Sequence, residues 1–427
     1  MPERIIIEFP EDSKNNEKSD RLEIDIYNDI TDEISVAPVE PKVNHEENNR
    51  KNILDSKVNS FYKGSANLNG FFKSDLKFPE GIDKSFRRKH HLEIKDNFLN
   101  SVLENNKYFI LSSTSGNVYF VDRFDFSVKN KIFIEENVFE KTGLVIENKI
   151  FVNSVKNIFE FKEENTNENE IYYDAIYSSE RDYFIWSNLN RYKNLILFLE
   201  YNPESKKALL KIIDTANHFS ITEFEFISNE FLSDSICIGE GMAYVLNDDK
   251  ILICDLMTMD FREIKVDTPG FSTSHFLFQN YKLYFAKDLQ ELFYVSSSSK
   301  ESAYKYSGIK LNYINSLCGY GENLFVGTID GWKCYKNNGL LVYSFDDEYE
   351  NKVECCNENL VVIVKKNKFV IHNLNRFQEA ESRTISSAGR DECDDIVSVV
   401  ISFNNLIVLT KDGIIELYAD DNLNIHI

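Results

Sequence analysis

The amino-acid sequence predicts an all-β protein built from a repeated unit of four antiparallel strands. Short runs of strand-forming residues recur at a mean spacing of about 43 residues, a period typical of circular β-sheet repeats. In several units two such runs flank an Asp-Gly or Ser-Gly pair, which is a hairpin signal. Helical stripes in the sequence are short, whereas Phe and Tyr, both strand formers, number 33 and 22.

Residues 1–89 differ from the rest of the chain and are predicted to form a flexible, largely irregular extension. They contain five of the seven prolines, and their polar runs bury too little apolar surface to offset the entropy of ordering. Their apolar patches are either local strand-like fragments, which could pack on the main body, or segments that dock onto a partner by strand addition. The candidate docking residues are Ile5, Ile6, Ile7, Phe9, Leu22, Ile24 and Ile26.

Residues 90–427 contain the repeats and are predicted to form one β-propeller. A single unit cannot bury both of its faces, so the units must stack around an axis and close into a ring. We expect eight blades; seven is the alternative, because the third unit, Asp182–Ile227, is long and irregular. The last unit would end with the strand LNIHI, and pairing of His90–Lys95 beside it would help closure. The second strands are expected to begin at Tyr108, Ile150, Leu195, Ala243, Leu283, Leu324, Leu360 and Leu406.

The strand pattern of this region resembles the β-propeller superfamily in its broad WD40-like or quinoprotein-like sense. The resemblance covers about four-fifths of the chain and rests on paired strands such as KYFILSS followed by NVYFVD. The Trp-Asp and Gly-His dipeptides of WD40 repeats do not occur, and the two tryptophans are Trp186 and Trp332. The resemblance therefore implies a fold and no specific family.

Charge and cysteine content restrict the partners and the compartment. The formal net charge of −22 disfavours direct binding of nucleic acid or anionic lipid, since both would repel the chain. Apolar runs are too short for a secretory signal or a membrane span, and seven cysteines without a repeated spacing suggest no disulfide framework. We expect a cytoplasmic protein, with a nuclear location as the alternative, and no membrane insertion.

Motifs that carry enzymatic chemistry are not found in the sequence. It has no G-x-S-x-G elbow, no H-E-x-x-H pair, no Walker loop and no G-x-G-x-x-G. His90 and His91 are adjacent, so on a strand they would point to opposite faces and make a poor metal site. We expect no catalytic residues, no metal and no cofactor.

The sequence therefore favours a non-enzymatic scaffold or adaptor subunit of a larger complex. Acidic clusters suit one or more protein partners with a basic surface, or they only keep the protein soluble. Two alternatives remain: a receptor for short peptide motifs on one propeller face, and an enzyme with a central pocket, which the missing signal peptide disfavours. Trp332 could anchor a partner or pack between blades. The candidate partner-binding residues of the repeats are Asp330, Trp332, Asp346, Asp347 and Glu348.

Overall fold

The computed structural model describes residues 86–134, 139–163, 170–266, 275–287, 289–297, 304–305, 311–347, 350–375, 377–385, 395–402 and 405–420. Within these residues the chain forms eight antiparallel sheets arranged as the blades of a propeller ring. The prediction of an all-β, eight-bladed fold is confirmed. No helix in the described residues has the length and apolar character needed to cross a membrane.

Each blade is a meander whose strands run in sequence order from the axis outwards, except where the chain ends meet. The strands, blade by blade, are β1 Phe86–Glu93; β2 Leu103–Glu104, β3 Tyr108–Ser112, β4 Asn117–Asp122 and β5 Val128–Phe133; β6 Leu144–Ile146, β7 Lys149–Asn153, β8 Asn157–Glu163 and β9 Ile171–Ser178; β10 Phe184–Ile185, β11 Asn190–Tyr192, β12 Leu195–Asn202, β13 Lys207–Asp214 and β14 Ser220–Ile227; β15 Cys237–Gly239, β16 Met242–Asn247, β17 Lys250–Asp255 and β18 Phe261–Lys265; β19 Phe276–Gln279, β20 Lys282–Lys287, β21 Glu291–Ser296 and β22 Tyr304–Lys305; β23 Ile314–Tyr320, β24 Asn323–Thr328, β25 Gly331–Lys336 and β26 Leu341–Asp346; β27 Lys352–Cys356, β28 Leu360–Lys365, β29 Lys368–Asn373 and β30 Gln378–Thr384; β31 Ile396–Ser402, β32 Asn405–Thr410 and β33 Ile414–Asp420.

The first strand of each blade lies nearest to the axis, since these strands contact one another from blade to blade, as β15 does with β19 and β23 with β27. Blade 3 departs from the pattern because its first strand is divided into β10 and β11, which both pair with β12. The irregularity of this unit in the sequence therefore reflects a broken inner strand within a complete blade.

The eighth blade joins the two ends of the described chain. Its strands run β31, β32, β33 and then β1, and β1 pairs antiparallel with β33 from Phe86 opposite Asp420 to Glu93 opposite Ile414. The expected pairing of the His90–Lys95 segment at the ring closure is confirmed for residues 90–93. Strand β1 crosses the expected boundary at residue 89, and the LNIHI segment lies outside the described residues.

Turns between the second and third strands use backbone conformations that the sequence anticipates. Gly331 has φ 131°, and a Cβ at this position would lie 1.9 Å from the carbonyl oxygen of Phe345, so the position requires glycine. Positive φ values also occur at Gly116, Asp248, Lys366 and Gly413. Gly116 and Gly413 belong to the Ser-Gly and Asp-Gly pairs that the sequence predicts as hairpin turns.

The hydrophobic core is a series of wedges between neighbouring blades rather than one central mass. Each buried cluster combines side chains from adjacent blades, and the largest unites blades 7, 8 and 1. Aromatic rings fill much of this space, as the abundance of Phe and Tyr predicts. Blade packing holds the surface loops on a rigid frame.

Candidate functional site

One face of the ring carries both the turns between second and third strands and the connectors between blades. This follows from the alternation of strand direction within each meander. Backbone hydrogen bonds join the two kinds of loop: the Asp347 N–H donates to Asp330 O at 3.0 Å, and the Ile396 N–H donates to Lys366 O at 2.9 Å. We call this the upper face, and the opposite one the lower face.

Near the axis, polar side chains at the upper face connect one blade to the next. Ser101 Oγ lies 3.0 Å from Ser398 Oγ across the junction of blades 8 and 1. The Ser101 N–H donates to Thr142 Oγ1 at 3.0 Å, the Thr142 N–H donates to Asn188 Oδ1 at 2.7 Å, and Asn188 Nδ2 donates to Ser235 Oγ at 3.1 Å. These side chains use their hydrogen-bonding capacity on their neighbours, so their evident role is to hold blades together.

A pocket of about 360 Å³ opens on the upper face between blades 2 and 3. Aromatic rings form its wall: Phe184 and Trp186 are 37% and 39% exposed, and Trp186 packs edge-to-face against Tyr201 at 5.7 Å between ring centroids. Its other lining residues are Glu140, Lys141, Asn153, Ser154, Val155, Ile185 and Pro203. We call it the aromatic pocket.

Backbone contacts fix the aromatic residues in place. The divided first strand of blade 3 begins with Phe184, and the Ile185 N–H donates to Val155 O at 2.8 Å in the turn of blade 2. The Trp186 N–H donates to Leu199 O at 2.8 Å, and Trp186 Nε1 donates to Leu232 O at 3.1 Å. The backbone of Trp186 is therefore held to blade 3 and its indole to the connector before blade 4, and the side chain stays partly open to solvent.

The two lysines at the rim of the aromatic pocket are already engaged. Lys141 Nζ lies 3.1 Å from Asp234 Oδ2 and 5.9 Å from the centroid of the Trp186 ring. Lys156 Nζ lies 4.2 Å from the centroid of the Phe184 ring and donates to the backbone carbonyl oxygens of Glu180, Arg181 and Tyr183. Both ammonium groups therefore stabilise the aromatic wall of the pocket.

Comparison with known proteins supports the fold and no narrower assignment. No family model matches the sequence, and no curated protein matches it. Among solved structures, 1215 chains match, so the likeness is to an architecture shared by many proteins.

Three of these structures illustrate how different the matching proteins are from one another. The computationally designed Ika8 protein is 10% identical with a TM-score of 0.59, covering 77% of this chain and 97% of its own. BamB from Moraxella catarrhalis is 11% identical with a TM-score of 0.53, and the match covers 78% of this chain and 99% of BamB. Quinohemoprotein alcohol dehydrogenase from Comamonas testosteroni is 7% identical with a TM-score of 0.66, and the match covers 88% of this chain and 82% of the dehydrogenase. At these identities the likeness shows the fold alone.

Three of the acidic residues singled out from sequence, Asp330, Asp346 and Asp347, lie on the upper face at blades 6 and 7. Partial burial raises the pKa of Asp330, but hydrogen bonds from Thr328 and Asn312 outweigh it and leave that pKa below its ordinary value. Asp346 is exposed and accepts from Ser344 Oγ at 3.1 Å. Asp347 forms an ion pair with Lys365. The structure thus brings Asp330, Asp346 and Asp347 together.

Trp332 is fully buried between blades 6 and 7. This is the packing alternative that the sequence left open, and the indole does not reach the surface as a partner anchor would. The remaining sequence candidates, Ile5, Ile6, Ile7, Phe9, Leu22, Ile24, Ile26 and Glu348, lie outside the described residues.

A second cleft, of about 410 Å³, lies on the lower face between blades 1 and 2. Its charges neutralise one another: Lys107 pairs with Glu163, and Lys162 Nζ lies 2.9 Å from Glu160 Oε2 and 3.3 Å from Asp174 Oδ2. Among the described residues, no group of three or more His, Cys, Asp or Glu side chains has an arrangement suited to a metal ion. The aromatic pocket is therefore the stronger candidate.

Sequence reasoning did not identify the residues of the aromatic pocket. Phe184 and Trp186 are separated from Tyr201 in sequence and meet it because strand β10 pairs with the end of β12. Asn153, at the end of β7, joins them only through the packing of blade 2 on blade 3. The available signal was the irregularity of the third unit, which contains one of the two tryptophans.

Proposed function

We propose that this protein is a non-enzymatic interaction module, an adaptor subunit that holds partner proteins on the upper face of its ring. The observation that carries the proposal is the exposure of Phe184 and Trp186 in a pocket whose frame is fixed by blade packing. Exposed aromatic residues on a rigid surface are typical anchors of protein interfaces, because they bury a large area at a small entropic penalty.

The charge of the molecule favours a particular kind of partner. A formal net charge of −22 speeds the approach of basic proteins and repels acidic ones. Asp330 and Asp346 lie on the same face as the aromatic pocket. A basic partner that contacts the pocket and extends over this face would satisfy both features.

Affinity purification of the full chain from its own cells, at several salt concentrations, tests the proposal. We expect co-purifying proteins to be retained by wild type and by a Phe124→Ala control, whose ring is 58% exposed in the turn between β4 and β5 on the lower face. They should be lost from the double variant Phe184→Ala and Trp186→Ala. Recovery of the wild-type protein alone at every salt concentration would count against an adaptor role.

A further inference from the structure

Asn153 has an environment unlike that of other buried asparagines in the ring. Its side chain is 1% exposed and lines the aromatic pocket, and among the described residues neither Nδ2 nor Oδ1 has a hydrogen-bond partner. Asn202 and Asn247 end the equivalent strands of blades 3 and 4. Asn202 Oδ1 accepts from the N–H groups of Glu204 and Ser205, and Asn247 Nδ2 donates to Ile227 O at 2.9 Å.

A buried amide without partners opposes folding, because its donor and acceptor leave water without replacement. Most buried polar side chains in native proteins are hydrogen-bonded, so a buried carboxamide in a pocket lining without any partner calls for an explanation, and a bound group that completes its hydrogen bonds is one. The carboxamide of Asn153 offers a donor and an acceptor side by side at the pocket. Its complement is a group that offers an acceptor and a donor with the same spacing.

We infer that the aromatic pocket binds an extended peptide segment of a partner protein and that Asn153 recognises its main chain. Nδ2 donates to a peptide carbonyl oxygen, and Oδ1 accepts from a peptide N–H. An apolar side chain of the segment lies among Phe184, Trp186 and Tyr201. This inference rests on the proposed function and specifies how the partner is held.

The dimensions and charges of the pocket favour a peptide over a nucleotide. A volume of about 360 Å³ accommodates one or two residues of an extended chain. A nucleobase could also stack on Trp186 and bond to Asn153, but Lys141 and Lys156 are engaged with Asp234 and with backbone carbonyl oxygens. A phosphate would therefore meet a molecule of net charge −22, and the two lysines that the structure describes at the pocket are already engaged.

Selection from a phage-displayed library of linear dodecapeptides against the full chain tests the inference. We expect selected peptides to bind wild type, with affinity lowered roughly tenfold or more by Asn153→Leu, since that factor corresponds to one lost hydrogen bond of ordinary strength. Phe184→Ala, which removes no hydrogen bond from the protein, should weaken binding as well. Asn106→Leu, a control on the lower face where Asn106 is exposed, should bind as wild type does. If no selected peptide loses affinity for both Asn153→Leu and Phe184→Ala, the inference is wrong.

Thermal unfolding of Asn153→Leu separates a recognition role from a structural one. Leucine has nearly the same shape as asparagine, so removing an unpaired amide should leave the melting temperature unchanged or raise it. A lower melting temperature would show that the amide is bonded within the protein and would overturn the inference. Binding of adenosine in the same titration, with the same dependence on Asn153, would also overturn it in favour of a nucleobase site.

The affinity purification of the preceding section distinguishes this inference from the proposed function. If the double aromatic variant loses the co-purifying proteins but Asn153→Leu keeps them, main-chain recognition is wrong and the adaptor role stands. If neither variant changes the co-purifying proteins, the aromatic pocket is not the interaction surface, and both the inference and the observation that carries the proposed function are wrong. Loss of the same proteins from both variants supports the adaptor role and main-chain recognition by Asn153 together.

Discussion

At the scale of single residues, burial between blades controls the chemistry of His372. Its ring lies 5.0 Å from the centroid of Trp332 in an edge-to-face arrangement and 5.4 Å from that of Phe345. Burial, assisted by the nearby charge of Lys365, lowers the pKa of His372 from 6.5 to about 4. The neutral imidazole is favoured because the interior offers little solvation to a cation.

This lowered pKa predicts a loss of stability in mild acid. Below pH 6.5 the unfolded chain binds a proton at His372 while the native protein does not, so stability is complete above that pH and falls as the pH drops towards 4. For this residue the loss between about pH 7 and about pH 5 should be about 2 kcal/mol. Urea unfolding of wild type and His372→Leu at both pH values measures it: the wild type should lose about 2 kcal/mol more than the variant. Equal losses in the free energy of unfolding of the two proteins would show that His372 does not cause the acid sensitivity.

Individual positions also show where sequence reasoning reaches its limit. The turn before Trp332 is predictable, because Asp-Gly pairs report a local backbone conformation. Whether the indole faces solvent or the next blade depends on a neighbour about forty residues further along the chain, and no local pattern encodes that. The unpaired amide of Asn153 is a property of packing, so a single sequence cannot reveal it.

At the scale of elements, strand β1 is held by charge as well as by its ladder of hydrogen bonds. Glu416 on β33 is buried and accepts from Arg88 Nη1 at 2.6 Å and lies 2.8 Å from His91 Nδ1. The hydroxyl of Tyr418 donates to the same carboxylate. Burial and the neighbouring carboxylate together raise the pKa of Tyr418. Arg88 thus pairs within the chain, with a carboxylate of the strand beside it.

Removal of Arg88 should therefore destabilise the eighth blade. The Arg88→Ala variant leaves a buried carboxylate with fewer donors, and the expected decrease in the free energy of unfolding is about 1–2 kcal/mol, since half of the Arg88 side chain is exposed and His91 remains in place. Chemical denaturation provides the measurement. As a control, Lys207→Ala breaks an exposed cross-strand pair with Glu225 and should not shift the midpoint. An Arg88→Ala midpoint equal to that of wild type would show that the pair contributes nothing to holding β1.

Most elements could be predicted from the sequence, and the exceptions have a common cause. The second strands begin within one residue of the expected positions, as at Tyr108, Leu195 and Leu360, because alternating apolar residues and turn residues are local signals. The division of the first strand of blade 3 was not predicted. Inner strands are short and buried on both sides, so their composition does not show where pairing stops.

At the scale of the whole molecule, the ring is closed by a strand from the opposite end of the described chain. Phe86 is buried in the cluster that unites blades 7, 8 and 1, and its ring stacks on Tyr418 at 5.8 Å. Ser398 and Ser101 join blades 8 and 1 near the axis. Closure thus depends on contacts between residues more than 290 positions apart, as for Ser101 and Ser398, and it makes the wedges between blades interdependent.

Truncation should show how much the ring depends on this closure. A chain that begins at Phe86 keeps every described strand and should unfold in one transition. A chain that begins at Ile94 lacks β1, exposes the edge of β33 and loses the burial of Phe86, so its free energy of unfolding should fall by about 3 kcal/mol or more. Calorimetry of the two chains measures the difference.

Addition of the missing strand as a separate peptide completes the test. A synthetic peptide of residues 84–95 should raise the melting temperature of the chain that begins at Ile94 in proportion to the logarithm of peptide concentration once binding is saturated, since it binds the folded ring and not the unfolded chain. A peptide of the same composition in scrambled order should have no effect, because the register of β1 on β33 places Arg88 and His91 beside Glu416. Equal melting temperatures for the two truncated chains, or equal effects of the two peptides, would mean that β1 is not the strand that closes the ring.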